Sequence, residues 1–365
     1  MNKIRILYAM GGNMHRAGAE TMIMNYVRQL VNYDLFDISI LVHGYDSGDY
    51  DDELMSIGVK IIRVPIRSRD PIKYSEKIKL VLSEGKYKIV HCNMDASSGD
   101  FLEIAKKCNI PVRIAHAHTT KYLSKNIIKK IIAINSKRKI TKVATHFLAC
   151  SQKAGDWMFG KANYIVVNNA IDLEKYRYNE AIRKRVRNNL ELDSDMLVLG
   201  HVGRFCYEKN HEGLIEIFSR YHEHNEKSVL LCVGEGPTKE LVMELVKSLG
   251  IEDNVRFLGV RSDINELMQA MDLFLLPSLF EGLPVVGIEA QASGLPCLFS
   301  DAVTNEVCLL ENSRRLSINN VSDWTNEIEH LKGCRSTDIS PLMKAGYSIQ
   351  NEAKKLSDFY LKCLM

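Results

Sequence analysis

At 365 residues the chain exceeds what one hydrophobic core ordinarily organises, so two domains are expected. With 46% hydrophobic and 25% charged residues it has the composition of a soluble globular protein, and a net charge of +3 gives no support to a nucleic-acid partner. Nine cysteines include no CxxC pair and their odd number leaves at least one unpaired, which points to free thiols in a reducing cytoplasm. No signal peptide precedes "IRILYAM" and no apolar run approaches the roughly 20 residues of a membrane span, so a cytoplasmic location is expected.

In chain order, short apolar runs alternate with helical segments. Strands are expected at 4–10, 37–43, 59–65, 87–92, 112–118 and 145–150, then at 197–204, 228–234, 254–259, 273–278 and 295–300. Near-continuous apolar strands separated by helices predict parallel sheets covered on both faces. Two such series predict an α/β protein of two doubly wound, Rossmann-like parallel-sheet domains. The pattern breaks within "YIVVNNAIDLEKYRY", so the domains are expected at 1–168 and 169–346, with a last segment at 347–365. Ligands of open parallel sheets bind at the carboxyl ends of strands, so two sheets facing one another would form a cleft walled by strand ends.

The first strand runs into "MGGNMHRAGAE", where Gly11 and Gly12 would let the backbone turn tightly and approach a ligand. The spacing fits neither GxGxxG nor a Walker motif, and a plain βα turn is an equal reading. In "RIAHAHTT", His116 and His118 alternate onto one face at a strand's carboxyl end, with His91 a possible neighbour. No third ligand at metal spacing accompanies them, so no metal is expected. His146 and His201 read as packing residues.

From Ile104 to Gly155 there is no Asp or Glu, and residues 121–142 interleave Lys and Arg with Ile, Leu and Tyr. Such a segment could dock on an anionic membrane surface, or it could be a solvated helix that packs its isoleucines inward. Further on, "GRFCYEKN" ends the second series' first strand. There the forked Arg204 and the compact Lys209 can converge on one anion such as a diphosphate, against the alternative of two solvated loop charges.

In "LFEGLPVVGIEAQASGLP", Pro284 suits the first turn of a helix running to Gly294. Glu281 then lies in the preceding loop and Glu289 faces outward from the second turn. The N–H groups around Leu283–Val286 offer an anion site, while an acid one turn deeper could accept from a ribose diol. As isolated acids both would simply be solvated.

Together these motifs resemble retaining glycosyltransferases of the GT-B fold, family 4, most like those of bacterial exopolysaccharide and capsule biosynthesis. The resemblance rests on "GAE", "HAHTT", "NNAID", "GRFCYEKN", "VGEGP", "NVRFLGVRSDI" and the E-x7-E pair, and it covers nearly the whole chain. It implies transfer of a sugar from a nucleotide-diphosphate sugar, UDP favoured, to a glycan or lipid-linked acceptor, without metal or other cofactor. It implies that Arg204 and Lys209 hold the diphosphate, that Glu281 lies by the sugar, and that Glu289 holds the ribose. Backbone N–H groups of Gly282, Leu283 and Val285, flanking Pro284, would surround sugar and phosphate. Gly203 belongs to the same diphosphate loop, and Gly234 and Glu235 with Gly259, Val260 and Arg261 would border the base. Gly11 and Gly12 would approach phosphates or acceptor, and His118 or His116 would sit beside the reacting sugar. The family's last helix returns to the first domain, which suits 348–365. Where relatives often show Gly-Gly-Ala-Glu, Ala17 replaces the first Gly.

A sugar-nucleotide 2-epimerase of the same architecture is the rival from another reaction class, disfavoured by the E-x7-E and GR-x4-KN motifs. A non-catalytic partner subunit is a second rival, disfavoured by intact Arg204, Lys209, Glu281 and Glu289.

Overall fold

The computed structural model describes residues 3–122 and 126–365. The chain divides into two compact units, residues 1–171 with 348–365, and residues 172–347. The expected limits at 168/169 and 346/347 differ from these by three residues and by one.

The first unit holds a parallel sheet of seven strands: β1 (Ile4–Met10), β2 (Phe36–His43), β3 (Lys60–Val64), β4 (Ile89–Asn93), β5 (Val112–Ala117), β6 (His146–Ala149) and β7 (Ile165–Val166). Their order across the sheet is β3-β2-β1-β4-β5-β6-β7. The second unit holds six: β8 (Leu197–Val202), β9 (Ser228–Val233), β10 (Val255–Phe257), β11 (Leu273–Leu276), β12 (Cys297–Ser300) and β13 (Ser313–Leu316). They are ordered β10-β9-β8-β11-β12-β13, again all parallel.

All eleven expected strands are present, most of them shorter than the apolar runs that announced them. Two strands were not expected. The two residues of β7 carry no pattern, and the two arginines of "SRRL" hide β13 from a reading that looks for apolar runs.

Alternation along β1 explains the layering. Ile6, Tyr8 and Met10 join one buried cluster with the helices Gly18–Leu30 and Ile349–Lys362. Leu7 and Ala9 join another, with the helices Pro71–Glu84, Ser98–Lys107, Ile127–Val143 and Gln152–Phe159. The first helix begins at Gly18, with Ala17 as its N-cap.

The last helix belongs to the first unit, as the family resemblance implied. Ile349 N donates to Ile171 O at 2.9 Å, which sets its start. Ile349, Ala353, Leu356 and Tyr360 recur at helical spacing and are all buried. Burying side chains such as Ile349 and Leu356 contributes roughly 1.5–3 kcal/mol each. All nine cysteines are free thiols.

Candidate functional site

Each sheet reverses its winding once. β2 and β4 flank β1 in the first unit, and β9 and β11 flank β8 in the second. The loops after such a pair diverge and leave a crevice at the strands' carboxyl ends. Asn93 ends β4, the loops after β1 and β4 carry Gly11 and Asp95, and those after β8 and β11 carry Gly203–Lys209 and Glu281.

In the second unit the loops after β8, β9 and β10 are bonded backbone to backbone. Gly203 N donates to Val233 O (2.9 Å), Phe205 N to Glu235 O (3.0 Å) and Gly234 N to Gly259 O (2.8 Å). Gly234 has φ +138°, and a Cβ there would lie 2.0 Å from Gly203 O. No other residue fits that position. A Cβ on Gly236 would lie 2.1 Å from Phe205 O.

A short turn, Tyr207–Lys209, leads to Asn210, whose φ of 53° reverses the chain. Asn210 Oδ1 caps the helix His211–His222 by accepting from Gly213 N (3.3 Å), and its Nδ2 donates to Pro277 O (3.0 Å). Leu279 N donates to Glu208 O (2.8 Å). These bonds fasten the loop after β11 to the loop after β8, and Lys209 Nζ meets Glu281 Oε2 at 2.8 Å. Both side chains are largely shielded, 17% and 20% exposed. Arg204 is exposed and forms no ion pair among the described residues.

The helix after Glu281 spans Val285–Ala292, with Pro284 as its N-cap and not in its first turn as expected. It ends before Gly294, whose φ of 73° terminates it. Among the described residues the amides of Gly282, Leu283, Val285 and Val286 make no hydrogen bond, while Gly287 N donates to Pro284 O (3.0 Å). Four uncommitted N–H groups thus follow Glu281 within five residues.

Glu289 does not face outward. It is partly buried, and its Oε1 accepts from Tyr176 OH at 2.7 Å. Burial raises its pKa, and the tyrosine hydroxyl offsets part of that rise by stabilising the ionised form. Of the remaining expected residues, Glu235 is paired with Lys239 (2.5 Å). Arg261 forms a two-pronged pair with Asp263 (2.8 and 2.6 Å), and Val260 is 72% exposed beside it.

In the first unit the chain bends at Gly11 and Gly12, and neither takes a left-handed conformation, so the bend does not need glycine on that account. A Cβ at Gly12 would meet no atom within 4 Å. His91, at the middle of β4, is buried and its Nε2 lies 2.9 Å from His116 Nδ1. The His116 ring packs on that of His118, centroids 4.2 Å apart. Burial depresses all three imidazoles, His91 to about 3, His118 to about 4 and His116 well below its usual value. They are therefore neutral near pH 7.

Asn93 Nδ2 donates to His91 O (3.2 Å), which turns its Oδ1 to accept from His118 Nε2 (2.9 Å). His118 thus carries its proton on Nε2 and keeps Nδ1 as an acceptor. Asp95 Oδ1 accepts from the amides of His118 (2.7 Å) and Thr119 (3.1 Å). Of the two packing histidines, His201 is buried and donates Nδ1–H to Leu275 O (2.8 Å), while His146 is partly exposed with its ring edge-on to Phe359. Among the described residues no cluster of ligands could hold a metal ion.

The basic segment forms the helix Ile127–Val143, with residues 123–125 outside the described ones. Its isoleucines do not all pack inward. Ile127, Ile128, Ile131 and Ile132 are 74%, 70%, 52% and 47% exposed, with exposed Lys129 and Lys130 among them. Lys137 instead lies over the Trp157 ring at 4.1 Å, and Lys139 pairs with Asp100 (2.9 Å) and Glu103 (2.8 Å). No helix among the described residues is long and apolar enough to cross a membrane.

Comparison with known proteins follows this division. A family model described as Glycosyl transferases group 1 matches residues 182–332, and one described as Glycosyltransferase Family 4 matches residues 16–175. The putative glycosyltransferase EpsF of Bacillus subtilis (strain 168) is 32% identical over 370 residues, covering 98% of this chain and 96% of that protein. The chain belongs to glycosyltransferase family 4. The glycosyltransferase is also 26% identical to UDP-Gal:alpha-D-GlcNAc-diphosphoundecaprenol alpha-1,3-galactosyltransferase of Escherichia coli, over 91% of both chains. Among solved structures, Anabaena Alr3699/HepE in complex with UDP superposes with a TM-score of 0.79 at 18% identity, covering 99% of this chain and 100% of that one. The two doubly wound parallel-sheet units are those of the GT-B fold.

Several residues of the glycosyltransferase escaped the sequence reading. Asn93 ends β4 and Asp95 follows it, and the strand-end rule applied to "HCNMDASS" would have found them. Asn210 was quoted within GRFCYEKN without a role. Tyr176 lies 113 residues from Glu289, and nothing local marks it.

Proposed function

We propose that this glycosyltransferase moves a hexose or N-acetylhexosamine from a UDP-sugar to a glycan or lipid-linked acceptor of a surface polysaccharide, with retention and without a metal. The reading rests chiefly on one observation, the Lys209–Glu281 pair beside four uncommitted amides. A leaving diphosphate needs fixed positive charge where its own charge grows, and Lys209, Arg204 and the N–H groups of Gly282, Leu283, Val285 and Val286 supply it. Glu281 orients Lys209 and accepts from donor-sugar hydroxyls. Glu289, held by Tyr176, accepts from the ribose diol. Glu235 and the Gly259–Arg261 loop border the base, with Val260 offering it an apolar contact.

In the first unit, Gly12 leaves room for an acceptor. Of the two histidines, His118 is the better sugar contact, because His116 is buried and His118 keeps Nδ1 as an acceptor. UDP as the nucleotide is supported by the UDP bound to HepE and by the UDP-Gal in the name of the Escherichia coli relative, whose name also gives a diphosphoundecaprenol acceptor. Retention is an implication of the family resemblance.

Thermal shift with UDP-, GDP- and ADP-sugars tests the donor. A UDP-sugar at about a hundred times its Kd adds about 2.7 kcal/mol to the folded state. A shift with GDP-sugars alone would replace the base, and no shift with any nucleotide would remove the reading. Epimer formed from donor alone, seen by NMR, would favour the epimerase.

The exposed isoleucines and lysines of Ile127–Val143 suit an anionic bilayer, into which the apolar side chains insert while each lysine adds about 1 kcal/mol. Co-sedimentation with anionic vesicles at low salt should weaken on Ile128→Ser with Ile131→Ser. Unchanged binding in that double variant would exclude this face.

A further inference from the structure

The buried histidines of the first unit continue into the last helix. Tyr360 OH lies 2.6 Å from His91 Nδ1 and 2.6 Å from Tyr8 OH, and His91 Nε2 lies 2.9 Å from His116 Nδ1. All four side chains are essentially without solvent contact. The chain of bonds runs Tyr8–Tyr360–His91–His116 and stops there, because His116 Nε2 is buried and has no partner.

Only two proton arrangements fit neutral imidazoles. In one, Tyr8 donates to Tyr360, Tyr360 donates to His91 Nδ1, and His91 Nε2–H donates to His116 Nδ1. Every donor but the last is then satisfied, and His116 ends the chain with an Nε2–H. In the other, His116 Nδ1–H donates to His91 Nε2, His91 Nδ1–H to Tyr360, and Tyr360 to Tyr8. That leaves the Tyr8 hydroxyl proton with no acceptor, because Tyr360 is the one hydrogen-bond partner of Tyr8 OH among the described residues. It also leaves His116 Nε2 as a bare lone pair. Each arrangement leaves one donor and one acceptor unpaired. The first orphans the weaker of each, an imidazole N–H and a phenol lone pair, whereas the second orphans a phenol O–H and an imidazole lone pair, so the first is preferred.

We propose that Tyr360 and His91 are positioning residues that lock His116 as its Nε2–H tautomer, directly against the His118 ring. The lock holds His116 as a neutral donor of fixed orientation, and His116 in turn fixes the ring of His118, whose own tautomer Asn93 sets. Tyr360 reaches this place only because the last helix packs on the first unit, so the end of the chain sets proton positions at the carboxyl ends of β4 and β5. The link from His118 to substrate rests on the proposed function, whereas the tautomer lock does not.

Two variants that each remove one hydroxyl separate the lock from simple packing. In Tyr8→Phe, Tyr360 still donates to His91 and the first arrangement survives. In Tyr360→Phe both arrangements leave His91 Nδ1 and the Tyr8 hydroxyl orphaned, so neither is preferred. Long-range 1H–15N NMR of the full chain labelled with 15N-histidine reads the tautomers without any ligand. His91 and His116 should both carry Nε2–H in the wild type and in Tyr8→Phe, and should become mixed in Tyr360→Phe. His116 protonated on Nδ1 in the wild type, or tautomers unchanged in Tyr360→Phe, would overturn the lock.

UDP release from UDP-glucose plus acceptor extract, used as the probe reaction, tests the positioning role. Tyr360→Phe should lower kcat about tenfold with KM nearly constant, and Tyr8→Phe should change neither appreciably. Equal losses in both variants would reduce Tyr360 to a packing residue. A wild type inert towards UDP-glucose would count against the proposed donor while leaving the NMR result to decide the lock.

Discussion

The two units share a strand order around their switch points but place opposite chemistry there. After β8 and β11 the second unit presents ions and uncommitted amides: Arg204 exposed, Lys209 and Glu281 paired at 2.8 Å, and four free N–H groups. On β4 and β5 and just past the end of β5 the first unit presents three neutral imidazoles, drained of charge by burial. The common topology decides where ligands meet the chain, and the side chains decide what is bound. Fixed charge suits a phosphate whose charge grows during reaction, while neutral donors and acceptors of fixed direction suit hydroxyls.

The charged region should be the more sensitive. Lys209→Ala is expected to lower kcat by about 10²–10³. It also strands the shielded Glu281 carboxylate, so part of any fall in Tm is the desolvation of that unpaired charge and not lost fold. Adding Glu281→Gln should restore Tm without restoring turnover, and near-normal turnover in the single variant would break the comparison.

Gly234→Ala ranks next, and its effect falls on stability. A Cβ 2.0 Å from Gly203 O at φ +138° should cost about 3 kcal/mol or more in denaturant unfolding. A variant as stable as the wild type would mean that the loops after β8 and β9 are not locked as described.

The smallest effect concerns Glu289. Its raised pKa means that the folded state holds this proton more tightly than the unfolded chain does. Its contribution to stability is therefore fully present below the unfolded value and is lost as pH rises through the folded one. Ribose hydroxyls need the ionised form as acceptor, so UDP affinity should rise with pH over the same window. Tyr176→Phe removes the hydroxyl that favours ionisation and should move that rise to higher pH, with about fivefold weaker UDP binding on the acidic side of the rise by calorimetry. A pH profile unchanged by the substitution would detach Tyr176 from Glu289.

Much of the second unit's chemistry was legible because its residues lie in short contiguous motifs, each at the end of an apolar run. GRFCYEKN and LFEGLP carry their own strand, turn and helix signals, so the residues could be placed in loops before any pairing was known. Glu289 was placed on its helix but on the wrong side, since the tyrosine that receives it comes from 113 residues away. For the isoleucines of Ile127–Val143 the sequence left inward packing and an exposed docking face equally open, and among the described residues the first four are exposed.

Periodicity and composition by themselves determined the α/β class and the two series of parallel strands, because these depend on interactions between residues near in sequence, whereas the return of the last helix was implied by the family resemblance. Tertiary structure alone decided that Lys209 meets Glu281, that Tyr176 holds Glu289, and that Tyr360 addresses His91. Each of those bonds joins segments separated by 72 residues or more, and only the completed packing of both sheets brings such segments within the 3 Å that a hydrogen bond requires.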